Sequence, residues 1–164
     1  INSAYFRRVS EVTSIRQAIV LMGERGIRRF LSLIAMASLA SHKPDELVRS
    51  SIVRARFCEL IGDTGPPGAD QAELFTLGLF SMIDAIMDDA MGSLMERLPL
   101  SGAIKEALVR GKGPLAGYLG LMESYEKGRW DEVSKAADRL GLEQERLPGC
   151  FTEAVAWADN LTSQ

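Results

Sequence analysis

Few residues in this chain have the chemistry to catalyse anything. Its 164 residues contain one imidazole, His42, so any Ser-His-Asp or Cys-His nucleophile arrangement must use that ring. His42 stands beside Lys43 and before Pro44 in SHKPDEL, a segment that interrupts helical periodicity. A solvated polar side chain is therefore expected there, and Ser41 is its neighbour only in sequence. The carboxylates Asp84, Asp88 and Asp89 form a second group. The first two are spaced to share a helix face, and oxygen clusters hold hard cations such as Mg²⁺. Three carboxylates are too few for such a site, and negative charge at a helix C-terminus is unfavourable. A solvated helix end, or a salt bridge to an arginine of the N-terminal half, fits them better. Cys58 falls on the apolar side of its helix, where a thiol behaves as a small hydrophobe. Arg54 and Arg56 are close to it in sequence, but spacing alone does not aim either at the sulfur. Neither GDTGPPG nor KGPLAGYLG has the Lys-Ser/Thr or the preceding strand of a phosphate loop, and no zinc-ligand spacing occurs. The residues themselves point to no catalytic centre, no metal and no cofactor.

The composition agrees with a single packed domain. Apolar residues make up 46% of the chain, enough to bury a core without disulfides or metal. Cys58 and Cys150 are too few and too far apart for a disulfide framework, which points to a reducing cytoplasm. The longest apolar runs, such as LSLIAMASLA, fall short of the roughly 20 residues of a membrane span. Charge is uneven: residues 1–60 carry ten Lys/Arg against five Asp/Glu, and residues 61–164 carry nine against seventeen. The N-terminal arginines are interleaved with few aromatics, which argues against nucleic acid. The asymmetry suits protein partners, with Arg25, Arg28 and Arg29 as a partner-facing group.

Helical spacing runs through the whole chain. A capping box at Thr13-Ser14 and Gln17 opens SIRQAIVLMG, closed by Gly23. A helix over 24–40 carries Ile27, Phe30, Leu31, Ile34 and Ser38 on one stripe. Pro44, Asp45 and Glu46 start the next, whose Val48, Ile52, Ala55, Cys58 and Leu60 or Ile61 face inward. After the loop GDTGPPGADQ, the run AELFTLGLFSMIDAIMDD is apolar nearly all round and reads as one central helix. Helices are expected over 92–97 and 101–110, from KGPL to 126, through RWDEVSKAADRLG, and over 142–161. Pro148-Gly149 either kinks the last of these or delays its start. The expectation is an all-α single domain of eight or nine helices.

Several segments also carry a family resemblance. The opening INSAYFRRVSEVTSIRQAIVLMG resembles the N-terminal part of HDOD domains, the HD-related output domains of bacterial signalling proteins. VRARFCELI, ELFTLGLFSMIDAIMDDAM, LPLSGAIKEAL and YEKGRWDEV are similar to the HDOD half of two-domain EAL–HDOD proteins. The resemblance implies an EAL domain upstream of this chain and an HDOD domain over 1–164 that lacks its first turns. Apolar residues near Ile1, Tyr5 and Phe6 would then be uncovered. HD phosphohydrolases hold divalent metals with His, a His-Asp doublet and a distant Asp. In this chain GLFSMID (Gly78–Asp84) puts Ser81 and Met82 at the doublet, and the first histidine would fall near Arg49-Ser50. A hydroxyl binds such metals weakly and a thioether prefers soft ions. The resemblance thus implies a non-catalytic regulatory module in cyclic di-GMP-related signalling, partnered by the EAL domain and other signalling proteins. A homodimer is compatible with it. The competing reading is a divergent HD-type metal-dependent phosphohydrolase with a carboxylate site at Asp84, Asp88 and Asp89. Around Ser81 and Met82 a filled core is expected, since an apolar helix with no ligands to orient gains by packing.

Overall fold

A computed structural model describes Ser32 and residues 45–162. Apart from the helical Ser32, the two expected N-terminal helices, His42, the group Arg25, Arg28 and Arg29, and the apolar Ile1, Tyr5 and Phe6 lie outside the described residues. Within them the chain is all-α, with eight α-helices, one short 3₁₀ turn and no strand.

Helix α1, Asp45–Gly62, carries Asp45 and Glu46 in its first turn, where the positive end of the helix favours them. It was expected to bury one stripe, but it is buried almost all round: Ile52, Val53, Ala55, Phe57, Cys58 and Ile61 are all enclosed. Val48 and Leu60 are only half-buried. The reason is its central place, with α2 (Gln71–Phe80), α6 (Ala116–Glu126) and α8 (Leu147–Thr162) all packed against it. Asp70 caps α2, accepting from the N–H groups of Ala72 at 2.9 Å and Glu73 at 3.4 Å. At the α1–α2 crossing, a Cβ on Gly78 would stand 2.4 Å from the Arg54 carbonyl oxygen and 2.7 Å from the Ala55 Cα. Only glycine allows the two backbones to approach so closely.

The apolar run after the loop is not one helix. It stops at Phe80, because the Ser81 hydroxyl and N–H both turn back onto the Gly78 carbonyl, at 2.7 and 3.3 Å. Met82 leaves helical geometry with φ −119° and ψ 16°. A short α3, Ile83–Met87, follows and ends at Asp88 in the left-handed region, with φ 51°. Then come α4 (Met91–Arg97), α5 (Gly102–Arg110, capped by Ser101), α6 and α7 (Trp130–Leu140). A 3₁₀ turn, Gln144–Arg146, precedes α8. Pro148 is the second residue of α8, where its missing N–H has no intrahelical partner to lose. It sets the start of the helix and leaves the interior unkinked.

One core joins these elements, from Ile52 of α1 to Ala158 of α8. Phe57, Tyr125 and Phe151 meet in it with ring centroids 5.1–5.4 Å apart, which ties α1 to α6 and α8. Among the described residues no helix is long and apolar enough to cross a membrane.

Candidate functional site

The break between α2 and α3 puts Ser81 and Met82 at a junction of three elements. Because Gly78 lets α2 sit directly on the α1 backbone, Arg54 of α1 starts level with the end of α2. Its Nη1 donates to Ser81 Oγ at 3.1 Å. Its Nε and Nη2 fork onto the Glu126 carboxylate of α6, at 2.9 and 3.2 Å from Nε and 2.7 Å from Nη2. The Arg54 and Glu126 side chains are 15% and 26% exposed, so the pair is partly withdrawn from water. One turn further along α1, the Cys58 sulfur lies 3.6 Å from the Met122 sulfur, which keeps α1 and α6 in register beside the fork.

This geometry decides what Ser81 and Met82 can do. The Ser81 proton is committed to the Gly78 carbonyl, and one of its lone pairs receives a guanidinium N–H. With a neutral thioether beside it, the Ser81–Met82 pair offers no charged ligand and no imidazole. The positions therefore do not fit a divalent metal. Both residues are half-buried, between the buried Phe80 and Ile83. The helix break turns the Ser81 hydroxyl towards Arg54, so the surroundings of Ser81 include a partly exposed polar clasp. At the position of the first expected histidine, Arg49 Nε donates to Asp159 of α8 at 2.6 Å, and the half-buried Ser50 lies one turn before Arg54 on its face.

The carboxylates do not gather. Asp84, Asp88 and Asp89 are all exposed. The helix that would have aligned them ends at Met87, and the left-handed Asp88 redirects the chain. Asp89 pairs at 2.5 Å with Arg97 of α4, and the arginines before Arg49 lie outside the described residues. Among the described residues, no group of three or more His, Cys, Asp or Glu side chains is placed to hold a metal ion. Both cysteines are free and buried. Burial pushes the Cys58 thiol up to about 12, against a smaller lowering by Arg54. Burial also raises Cys150. Each is a core thiol and a poor nucleophile at neutral pH.

Local spacing makes Arg54 only a neighbour of Cys58 and assigns Glu126 no role. The stretch YEKGRWDEV, which contains Glu126, was the one available signal, but nothing local joins residues 72 positions apart.

The family described as the HDOD domain matches residues 1–98. The chain is 34% identical over 161 residues to the cyclic di-GMP phosphodiesterase CdgJ of Vibrio cholerae, covering 98% of this chain and 37% of that protein. It is 28% identical over 165 residues to the uncharacterized protein YuxH of Bacillus subtilis, covering 98% and 39%. The chain thus spans under two fifths of the length of these curated relatives. No solved structure matches it.

Proposed function

The chain belongs to the HDOD domain family, and on that premise we propose that it is a regulatory and interaction module with no hydrolase activity of its own. The observation that carries this reading is the Arg54–Ser81 hydrogen bond at 3.1 Å. The hydroxyl at the doublet position is spent on a guanidinium, and the residue beside it is Met82. The name of the Vibrio relative, in which this chain matches only 37% of the length, supports a place in cyclic di-GMP-related signalling. Its primary partner is then an EAL domain in the remainder of the polypeptide, with other signalling proteins as further partners. Arg25, Arg28 and Arg29 are the partner-facing group of this reading. The free, buried thiols of Cys58 and Cys150 suit a reducing, cytoplasmic setting.

The test is metal content by mass spectrometry, together with turnover of phosphodiester and phosphomonoester substrates in Mn²⁺ and Mg²⁺. Substoichiometric metal and no turnover above background are expected. A tightly bound divalent ion in stoichiometric amount, or turnover, would defeat the reading.

A further inference from the structure

A divalent ion and a guanidinium have one property in common: each collects oxygen lone pairs from ligands on separate helices. We propose that the Arg54 guanidinium is the resident cation of the doublet position. It bridges the Ser81 hydroxyl at the end of α2 to the Glu126 carboxylate of α6 and thereby excludes a metal ion. This deepens the proposed function and rests on it.

Three observations support the assignment. The bonds run in the direction a metal would require, with oxygens from two other elements turned towards one cationic group on α1. Charge is closed within the clasp, since one guanidinium faces one carboxylate at 2.7 Å, leaving no surplus negative charge for a divalent ion. The position is also fixed from two sides. Gly78 holds the α2 backbone against the Arg54 carbonyl, and the Cys58–Met122 contact holds α6 one turn away. With the Arg54 side chain 15% exposed, its charge is only partly screened and repels a second cation beside it.

Zinc affinity, measured by competition with a chromophoric chelator, tests the assignment. The proteins compared are the wild type, the double variant Ser81→His/Met82→Asp, and that double variant carrying Arg54→Ala or Arg54→Lys. Helix content by circular dichroism confirms folding. Restoring the two doublet residue types is expected to give weak binding while Arg54 remains. Adding Arg54→Ala, which frees Glu126 as a third ligand, should tighten zinc by about tenfold or more. Arg54→Lys keeps the charge and should bind as weakly as the arginine form. Equal affinity with and without Arg54 overturns the proposal, as does a lysine form that binds as tightly as the alanine form. Should Arg54→Ala not fold, Arg54→Gln is read against the same tenfold threshold. The two readings fail separately. Turnover by a wild-type protein whose Ser81 region binds no metal defeats the regulatory reading alone. Zinc bound equally with and without Arg54, in the absence of turnover, defeats the resident cation alone.

Discussion

Arg54, Glu126 and Cys58 show how much of this molecule is decided by a few side chains in one layer. The Arg54–Glu126 fork is bidentate and partly shielded, at 15% and 26% exposure, so it is worth more than a solvated surface pair. A double-mutant cycle with Arg54→Gln and Glu126→Gln, read by urea denaturation, should give a coupling of about 1–2 kcal/mol. Exposed pairs such as Arg129–Glu132 should give less than about 0.5 kcal/mol in the same assay. Cys58 makes a pH prediction whose sign follows from its burial. The unfolded thiol titrates near its ordinary 9.0 and the folded one at about 12, so between these values only the native state keeps the proton. The contribution is complete below pH 9 and is lost as pH rises towards 12, at up to ~1.4 kcal/mol per pH unit. The urea midpoint should therefore fall from pH 9 to 11. Cys58→Ala should flatten that fall and cost about 1–2 kcal/mol at pH 7 through the vacated volume. The burial of Cys58 was legible from helical spacing, because an apolar stripe is a local property. The Arg54 fork was not, because its partner comes from another helix.

At the level of elements, the helix punctuation was largely readable, since Gly, Pro and Asp signals act within a few residues. The loop GDTGPPGADQ, the Ser101 cap of α5 and the left-handed Gly141 after α7 stand where local chemistry puts them. The division between α2 and α3 was missed for a physical reason. AELFTLGLFSMIDAIMDD has helix-compatible residues throughout, and the break comes from Ser81 turning its hydroxyl onto Gly78 under a guanidinium supplied by α1. Two helical glycines, Gly78 buried at a helix crossing and Gly120 exposed, test how far packing overrides propensity. Gly78→Ala would push a methyl group to 2.4 Å from the Arg54 carbonyl oxygen, and neither backbone can move without shifting its helix. A loss of about 2–3 kcal/mol is expected from overpacking. Gly120 lies inside α6 with nothing within 4 Å of its would-be Cβ, so Gly120→Ala should gain roughly 0.5–1 kcal/mol from propensity alone. Thermal midpoints of the two variants should shift in opposite directions, and a Gly78→Ala protein as stable as the wild type would mean that the helix crossing is looser than 2.4 Å implies.

Across the whole molecule, the family match ends at residue 98 while the core does not. Phe57, fully buried in the matched region, is covered by Tyr125 and Phe151 from beyond it, at 5.1 and 5.4 Å. Arg54 likewise finds its carboxylate at Glu126, and Arg56 reaches Glu153 and the Trp157 ring of α8. The helices after residue 98 thus complete both the apolar and the electrostatic surroundings of α1. A chain cut after residue 98 would expose Phe57 and Cys58 and leave Arg54 without its acid. Uncovering one large aromatic side chain costs about 1.5–3 kcal/mol, and several such losses together exceed the ~5–15 kcal/mol stability usual for a domain. The 1–98 fragment should therefore show no cooperative thermal transition and should bind a dye for exposed apolar surface, whereas the full 164-residue chain should unfold in one step. A fragment that melts cooperatively would mean that the matched region folds alone, with α5–α8 docked onto it as a separate layer. In that case the Arg54–Glu126 clasp would couple two units instead of closing one, and Glu126→Gln in the full chain would lower the docking transition of α6 while leaving the transition of the matched region in place.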